Sequence, residues 1–239
     1  MHFEEGTLKT MELVRSGKLG APRSFSSVFT IDVTDPGNIR LSPIEQGGGS
    51  VFDLGVYCIN AARHYFESEP FEVFACSANN GEPRFARCDE MTTAILRFSD
   101  ERIATFTSSF GAADNSQYRV VCSDGWVNFE PAYEYAEPLE RTMLEGGKTR
   151  KDTFGKRDQF APELVHFSHC ILNGEEPGPS GWEGLADVRV IRAVYESART
   201  GKPVKLAPFT RAQQPDADQA MRKPPVRKKP DEVHARGPR

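Results

Sequence analysis

The residues best suited to chemistry follow a run of three glycines. Asp53, Tyr57 and Asn60 come after the glycines at 47–49, and their spacing of four and then three residues places them on one helix face. A tyrosine can act as an acid or a base when a nearby cation lowers its pKa, and an adjacent carboxylate can orient it. The glycines would let a small molecule approach the backbone. The alternative interpretation is an amphipathic helix whose polar face meets only water.

A helix is expected to position this polar stripe. Ser50 is a residue type that caps helices, so the helix is predicted to begin there and to reach about Phe66. Apolar spacing predicts a helix within the first eighteen residues, and alternation predicts a strand at 22–33. Two further helices are predicted at 162–173 and 182–200, the second ending at Gly201.

Residues 70–128 alternate between apolar and polar side chains, which is typical of strands. Four such segments are separated by short polar connectors, and strands joined by connectors this short must be antiparallel. They lie at 71–76, 91–98, 103–107 and 118–122. The pattern therefore predicts one α+β domain at 1–209. Residues 210–239 are rich in proline, lysine and arginine and are predicted to form a disordered tail.

Composition excludes several classes of protein. The 239 residues are 38% hydrophobic and 27% charged, which is enough apolar material for a core. Residues 211–239 hold eight basic and four acidic side chains, which leaves 22 basic against 30 acidic in the rest and argues against nucleic acid as a partner. No run approaches 18 apolar residues and no secretory signal opens the chain, so no membrane partner and a cytoplasmic location are expected. Five cysteines without a CxxC motif indicate reduced thiols.

Two weaker motifs are interpreted structurally. His166, His169, Glu163 and Cys170 have spacings that could bind zinc on a helix, but a partly buried helix with one hydrogen-bonded histidine is the preferred interpretation, so no metal site is predicted. The segment at 146–149, Gly-Gly-Lys-Thr, is similar to the end of a phosphate-binding loop. The glycine that such a loop requires six positions before the lysine is a threonine, which excludes it.

The glycine-rich segment also carries a family resemblance. GGGSVFDLGVYCINAAR, at 47–63, resembles the signature of the Gfo/Idh/MocA oxidoreductases, in particular the glucose-fructose oxidoreductase branch. In that branch the triple glycine is followed by Asp, Gly and a catalytic Tyr. Further similar segments bring the resemblance to essentially residues 1–206; they lie at 2–4, 12–20, 38–41, 163–167, 187–191 and 195–204.

The resemblance implies a fold and a function. Members of the family pair a Rossmann domain, which binds NAD or NADP, with a C-terminal domain built on a large, mostly antiparallel open sheet with helices packed on one face. This chain resembles the C-terminal domain. The implied function is the substrate-binding half of an NAD(P)-dependent oxidoreductase acting on CH–OH groups of sugars or related polyols, as a homo-oligomer formed through the sheet face. The alternative is a non-catalytic binding or oligomerisation module.

Site residues follow from the resemblance by position. Tyr57 would be the acid or base that handles the proton of the sugar hydroxyl, and Asp53 would orient the substrate. Asn60 and Arg40 would bind substrate. His2 would lie near the cofactor.

The sequence departs from the family pattern in its lack of a nucleotide-binding motif. It contains no GxGxxG near a first strand and no Glu-Lys-Pro. We therefore expect the NAD- or NADP-binding domain to be missing from this chain, either because the sequence is a fragment of a longer gene or because the protein is a truncated descendant. In both cases we expect no measurable NADP affinity and no turnover from this polypeptide alone.

Overall fold

Nine strands form one sheet in the part of the chain that a computed structural model describes, residues 2–135 and 137–210. Their order across the sheet is β8-β7-β6-β5-β1-β4-β3-β2-β9, and all neighbours are antiparallel except the parallel pair β1 and β4. The strands are β1 Pro22–Asp32, β2 Glu72–Ala78, β3 Met91–Phe98, β4 Arg102–Ser109, β5 Gly111–Cys122, β6 Trp126–Phe129, β7 Leu139–Glu145, β8 Lys148–Phe154 and β9 Val204–Lys205. The predicted tail lies outside the described residues from 211 onward.

Four α-helices accompany the sheet in the same described residues: α1 Glu5–Arg15, α2 Val56–Tyr65, α3 Phe160–Asn173 and α4 Gly181–Thr200. Helix α2 packs against β1 and β4, and α4 packs against β2 and β9. The prediction of an α+β fold with a large, mostly antiparallel open sheet is confirmed. No helix in these residues combines the length and apolar character needed to cross a bilayer.

One row of side chains across the sheet shows why the helices cover a single face. Seven positions that are paired from strand to strand are all apolar and buried, because alternation places them on the helix side. They are Val73, Leu96, Ala104, Phe25, Val120, Val127 and Met143. Removing this surface from water is the main force that holds the helices to the sheet.

The adjacent row points to the other face. Its paired positions are mostly polar or partly exposed, and no helix of the described residues covers them. The row consists of Phe74, Ile95, Thr105, Ser26, Arg119, Asn128 and Thr142. The sheet is therefore open on this side.

The β7–β8 hairpin is missing from the sequence prediction. Its strands are rich in charged residues and lack clear apolar alternation, because β8 is an exposed edge strand, where charge prevents unwanted pairing. The turn uses Gly146 and Gly147 with positive φ angles of 55° and 74°, the backbone of a two-residue hairpin turn. The motif that is similar to a phosphate loop is thus this turn.

The prediction that Ser50 caps the helix that carries Tyr57 is wrong. Ser50 has helical backbone angles and makes no side-chain capping bond. Its hydroxyl instead donates to Asp89, next to Ser108, because the segment ahead of the helix is buried against the sheet. The helix begins with a wide π-helical turn at Val51–Gly55 before α2 starts.

The glycine-rich segment is shaped by close contacts. A Cβ on Gly48 would lie 1.9 Å from the carbonyl oxygen of Ser42, and Gly49 has a φ of 103°, which side chains rarely allow.

Buried Asp89 accepts hydrogen bonds from the Ser50 backbone N–H (3.2 Å) and hydroxyl, and from Thr92 Oγ1 (2.9 Å). Tyr195 of α4 donates at 2.7 Å to Asp89 Oδ1, the oxygen that also accepts the Ser50 N–H, while Oδ2 accepts from the hydroxyls of Ser50 and Thr92. One carboxylate thus fixes the start of the helix.

Replacing this carboxylate should be costly. We predict that Asp89→Asn lowers the free energy of unfolding by about 2–3 kcal/mol, because the amide nitrogen would face donors and leave buried groups unpaired. Urea unfolding followed by circular dichroism measures it. Asp100→Asn, in an exposed turn, is the matched control and should change stability by less than about 0.5 kcal/mol. Equal effects of the two substitutions would contradict the anchoring role.

Candidate active site

An ion pair lies at the centre of the predicted site. Arg40 Nε donates to Asp53 Oδ2 at 2.7 Å, and both side chains are about one-third exposed, at 38% and 34%. Arg40 sits in a short 3-10 turn, where Asn38 Oδ1 accepts from its backbone N–H. Gly49 donates its N–H to the Arg40 carbonyl at 2.9 Å. The glycine-rich segment thereby holds Arg40 beside Asp53.

Tyr57 lies next to this pair and is 39% exposed. Asp53 belongs to the π-helical turn and Tyr57 to the first turn of α2. Single π turns inside helices are frequent at functional sites. The structure brings Asp53, Tyr57 and Arg40 together; of the three residues that the sequence places on one helix face, Asp53 and Tyr57 lie at this site.

Aromatic rings form the wall on which Tyr57 rests. Phe29 of β1 meets its ring edge-on with centroids 5.5 Å apart, and Tyr133 lies 5.7 Å away. Phe29 and Tyr133 stack at 5.0 Å, and the Tyr133 hydroxyl lies 2.6 Å from Ser27 Oγ. The wall is rigid because Tyr133 is buried and hydrogen-bonded. Such aromatic surfaces can pack against the apolar face of a sugar ring.

The surroundings keep the Tyr57 hydroxyl protonated. Burial raises the pKa of Tyr57, the charge of Asp53 raises it further, and Arg40 opposes the rise. Tyr135 and Glu163 also raise this pKa. With a pKa above the ordinary value near 10, the phenol holds its proton at neutral pH and can donate it. The positive charge of Arg40 is not enough to bring the pKa of Tyr57 below its ordinary value.

Asn60 and His2 lie among different partners. Asn60 Nδ2 donates to Asp187 Oδ2 at 3.0 Å and to Glu183 Oε1 at 3.4 Å, both on α4. The ring of His2 meets that of His64 edge-on at 4.9 Å. These partners of Asn60 and His2 are different from the Arg40–Asp53 pair. Their roles with substrate and cofactor stay predictions.

Four residues near Tyr57 are missing from the sequence prediction. Phe29, Tyr133 and Tyr135 come from elements distant in sequence, and Glu163 from the first turn of α3. The alternation of Tyr133 and Tyr135 was the available sequence signal for this contact. A short irregular segment does not show, however, which strand it lies beside or in what register. The pair Phe160 and Tyr135, with rings 5.4 Å apart, places α3 beside them.

His166, one of the α3 residues whose spacing could bind zinc, makes local contacts in the structure. His166 Nε2 accepts from the Gly178 N–H at 3.3 Å and lies 3.5 Å from Cys170 Sγ, while Glu163 and His169 are exposed. This arrangement is the hydrogen-bonded histidine that the sequence indicates.

Comparison with known proteins identifies the family. Residues 7–128, about half of the chain, match the GFO/IDH/MocA C-terminal domain. The chain belongs to this family. The matched residues include Arg40, Asp53 and Tyr57.

Similar proteins are sugar oxidoreductases by name. The chain is 30% identical over 210 residues to an NADP(+) D-xylose 1-dehydrogenase of Haloarcula marismortui, which covers 86% of this chain and 58% of that protein. It is 32% identical over 207 residues to D-xylose 1-dehydrogenase (NADP(+)) 2 of Haloferax volcanii, covering 85% and 62%. The chain thus spans about three-fifths of the length of these relatives.

A solved structure has the same fold. The aldose-aldose oxidoreductase from Caulobacter crescentus, complexed with glycerol, matches with a TM-score of 0.79 and 34% sequence identity. The match covers 85% of this chain and 61% of that one.

Charge substitutions should move the pKa of Tyr57 in opposite directions. We predict that Asp53→Asn lowers it, because a negative charge that disfavours the phenolate is lost, and that Arg40→Gln raises it, because a favourable positive charge is lost. Titration of ¹³Cζ-tyrosine NMR signals, with Tyr57 assigned by its loss in Tyr57→Phe, measures both. Arg150→Gln on β8 is the control and should leave this pKa unchanged. Shifts of the same sign would contradict the described grouping.

Proposed function

We propose that this chain is the sugar-binding half of an NADP-dependent oxidoreductase acting on CH–OH groups of sugars or related polyols. The observation that carries the proposal is the ion pair of Arg40 and Asp53 beside a half-exposed, protonated Tyr57. The relatives named for D-xylose oxidation and for NADP(+) support the substrate class and the choice of NADP over NAD.

In the proposed reaction, Tyr57 transfers the proton and Asp53 orients the sugar. Tyr57 holds a proton that it can donate to a sugar carbonyl oxygen during reduction; in oxidation the phenol would first lose this proton to solvent, and its phenolate oxygen would then receive the hydroxyl proton. Asp53 Oδ2 is bonded to Arg40, while Oδ1 has no hydrogen-bond donor among residues 2–135 and 137–210. A sugar hydroxyl can therefore donate to Oδ1, which would orient the ring beside the exposed ring of Tyr57.

We propose that dinucleotide binding does not use the described residues. Their one parallel strand pair is β1 and β4, and residues 33–46 separate β1 from the glycines at 47–49, whereas a dinucleotide-binding motif joins strand, glycine-rich turn and helix directly. NADP would supply or accept the hydride when it is bound. We therefore place its binding in a separate nucleotide-binding domain.

Helix α3 offers a surface for that domain. Phe160, Leu164, Phe167 and Ile171 follow one another at helical spacing, and each is more than half exposed. An apolar stripe this long marks an interaction surface. Because α3 begins beside Tyr135, a domain docked on it would lie next to Tyr57. The stripe thus supports a cofactor domain placed close to the substrate.

The central test separates proton transfer from substrate binding. In an enzyme that joins this chain to a nucleotide-binding domain of the family, Tyr57→Phe should lower kcat about 10²–10⁴-fold, the range of a general acid or base. The sugar Kd, measured on the same protein by calorimetry, should change less than about threefold because the ring remains. An unchanged kcat would remove Tyr57 from the reaction. Failure of the unmodified chain to bind any sugar would favour the non-catalytic module.

The open sheet face is the proposed contact between subunits. Phe74 of β2 and Ile95 of β3 are paired there, and Met91 of β3 and Ile103 of β4 are also more than one-third exposed on this face. We expect the chain to sediment as a homo-oligomer, and Ile95→Lys to shift it toward monomer because a charge would be buried at the contact. Sedimentation velocity measures the change. Thr200→Lys, on the last turn of α4, is the control and should not dissociate it; a monomeric unmodified chain would contradict the proposal.

A further inference from the structure

Three side chains that can bind metal meet outside the Tyr57 site. His2 precedes α1, His64 lies in the last turn of α2, and Glu183 lies in the first turn of α4. One ligand atom from each lies within 4.8 Å of the other two. His64 and Glu183 are buried and His2 is half-buried. Three distant parts of the sequence therefore bring two imidazoles and a carboxylate together.

The distances suit a small divalent ion. His64 Nε2 lies 3.2 Å from Glu183 Oε1. Bonds of about 2.0–2.1 Å in a tetrahedral zinc site place neighbouring ligand atoms about 3.3 Å apart. The imidazoles of His2 and His64 are edge-on, with centroids 4.9 Å apart, so both rings can direct a nitrogen toward one point. A small movement of His2 toward His64 and Glu183 would bring all three ligand atoms to the distances of a zinc site.

Surrounding hydrogen bonds hold the carboxylate in place. Glu183 Oε1 accepts from Arg63 Nη1 at 2.9 Å and from Asn60 Nδ2 at 3.4 Å, and the Glu183 N–H donates to Ser180 Oγ. Supporting contacts of this kind orient metal ligands.

The positive charge of Arg63 does not depend on Glu183 alone. Glu69 accepts from Arg63 Nε at 2.8 Å and from Nη2 at 2.9 Å, and Asp187 accepts from Nη1. Arg63 therefore remains paired with the carboxylates of Glu69 and Asp187 when Glu183 also binds a cation.

We propose that His2, His64 and Glu183 bind a divalent transition-metal ion, Zn²⁺ by the donor set, with water as a fourth ligand. Two imidazoles with one carboxylate are a common zinc combination. The ion would join the segment before α1 to α2 and α4. It would thus clamp the end of the helix that carries Tyr57, without taking part in the sugar chemistry. The sequence gives no sign of the site because its ligands have no motif spacing.

Metal titration of the whole chain tests the proposal. Tag-free protein is treated with EDTA, dialysed and titrated with ZnCl₂ in a calorimeter; we expect one equivalent to bind and Tm to rise. Co²⁺ in place of Zn²⁺ should give the visible absorption of a four-coordinate site. His64→Gln and His2→Gln should each weaken binding at least about tenfold, since even the loss of a supporting partner costs that much. His169→Gln, an exposed histidine on α3, is the matched control and should bind as the unmodified chain does.

Two results would overturn the proposal. One is folded, unmodified protein that binds no stoichiometric Zn²⁺, which would leave the contact between His64 and Glu183 as a structural one. The other is binding that survives in His2→Gln and His64→Gln but is lost in Cys170→Ser, which would place the ion on α3. Should the buried His64→Gln fail to fold, imidazole ¹⁵N NMR of the unmodified chain still decides: zinc must shift the His2 and His64 signals and not those of His169.

Discussion

The buried carboxylate of Asp89 is the interaction on which the site geometry depends. It receives hydrogen bonds from Ser50 ahead of the π-helical turn, from Thr92 of the sheet and from Tyr195 of α4. These groups belong to three elements, and hydrogen bonds fix their relative orientation as well as their distance, which apolar packing alone does not. Because Ser50 is fixed in direction as well as position, so is the start of the π-helical turn that brings Asp53 to Arg40.

The π-helical turn contributes the second constraint. Its wider winding changes the direction of residues 51–55 relative to α2, so it turns Asp53 relative to Tyr57 and Asn60, which both lie in the regular part of the helix. Asp53 bonds to Arg40 beside Tyr57, whereas Asn60 bonds to carboxylates of α4. The sequence predicted all three on one helix face, but it could not predict which neighbouring elements each side chain contacts. The hydrogen bonds of Asn60 separate the substrate site from the charged cluster around Arg63.

The sequence predicted the sheet well because alternation and short connectors are local signals. Strands β2 to β5 and the positions of the helices follow from residue patterns, and the glycines at 47–49 correctly mark a close approach of backbone. The hairpin of β7 and β8 could not be found, because an exposed edge strand needs charge more than alternation. Phe29, Tyr133 and Glu163 were equally out of reach: what brings them to Tyr57 is sheet register and the docking of α3, which involve residues more than 25 positions apart.

Strand β1 has a consequence for the order in which the chain folds. It lies between β4 and β5, which follow each other in sequence with only Phe110 between them. The nascent β2–β3–β4 and β5–β6–β7–β8 meanders can each form from near neighbours, but β1 must enter between them across about eighty residues. Strand pairs that are so far apart in sequence form slowly, because closing the long loop costs conformational entropy before the contacts between the strands can offset it. Until β1 pairs with both β4 and β5, the edges of these strands that face it are open to pairing with other chains, so the central strand also limits aggregation during folding.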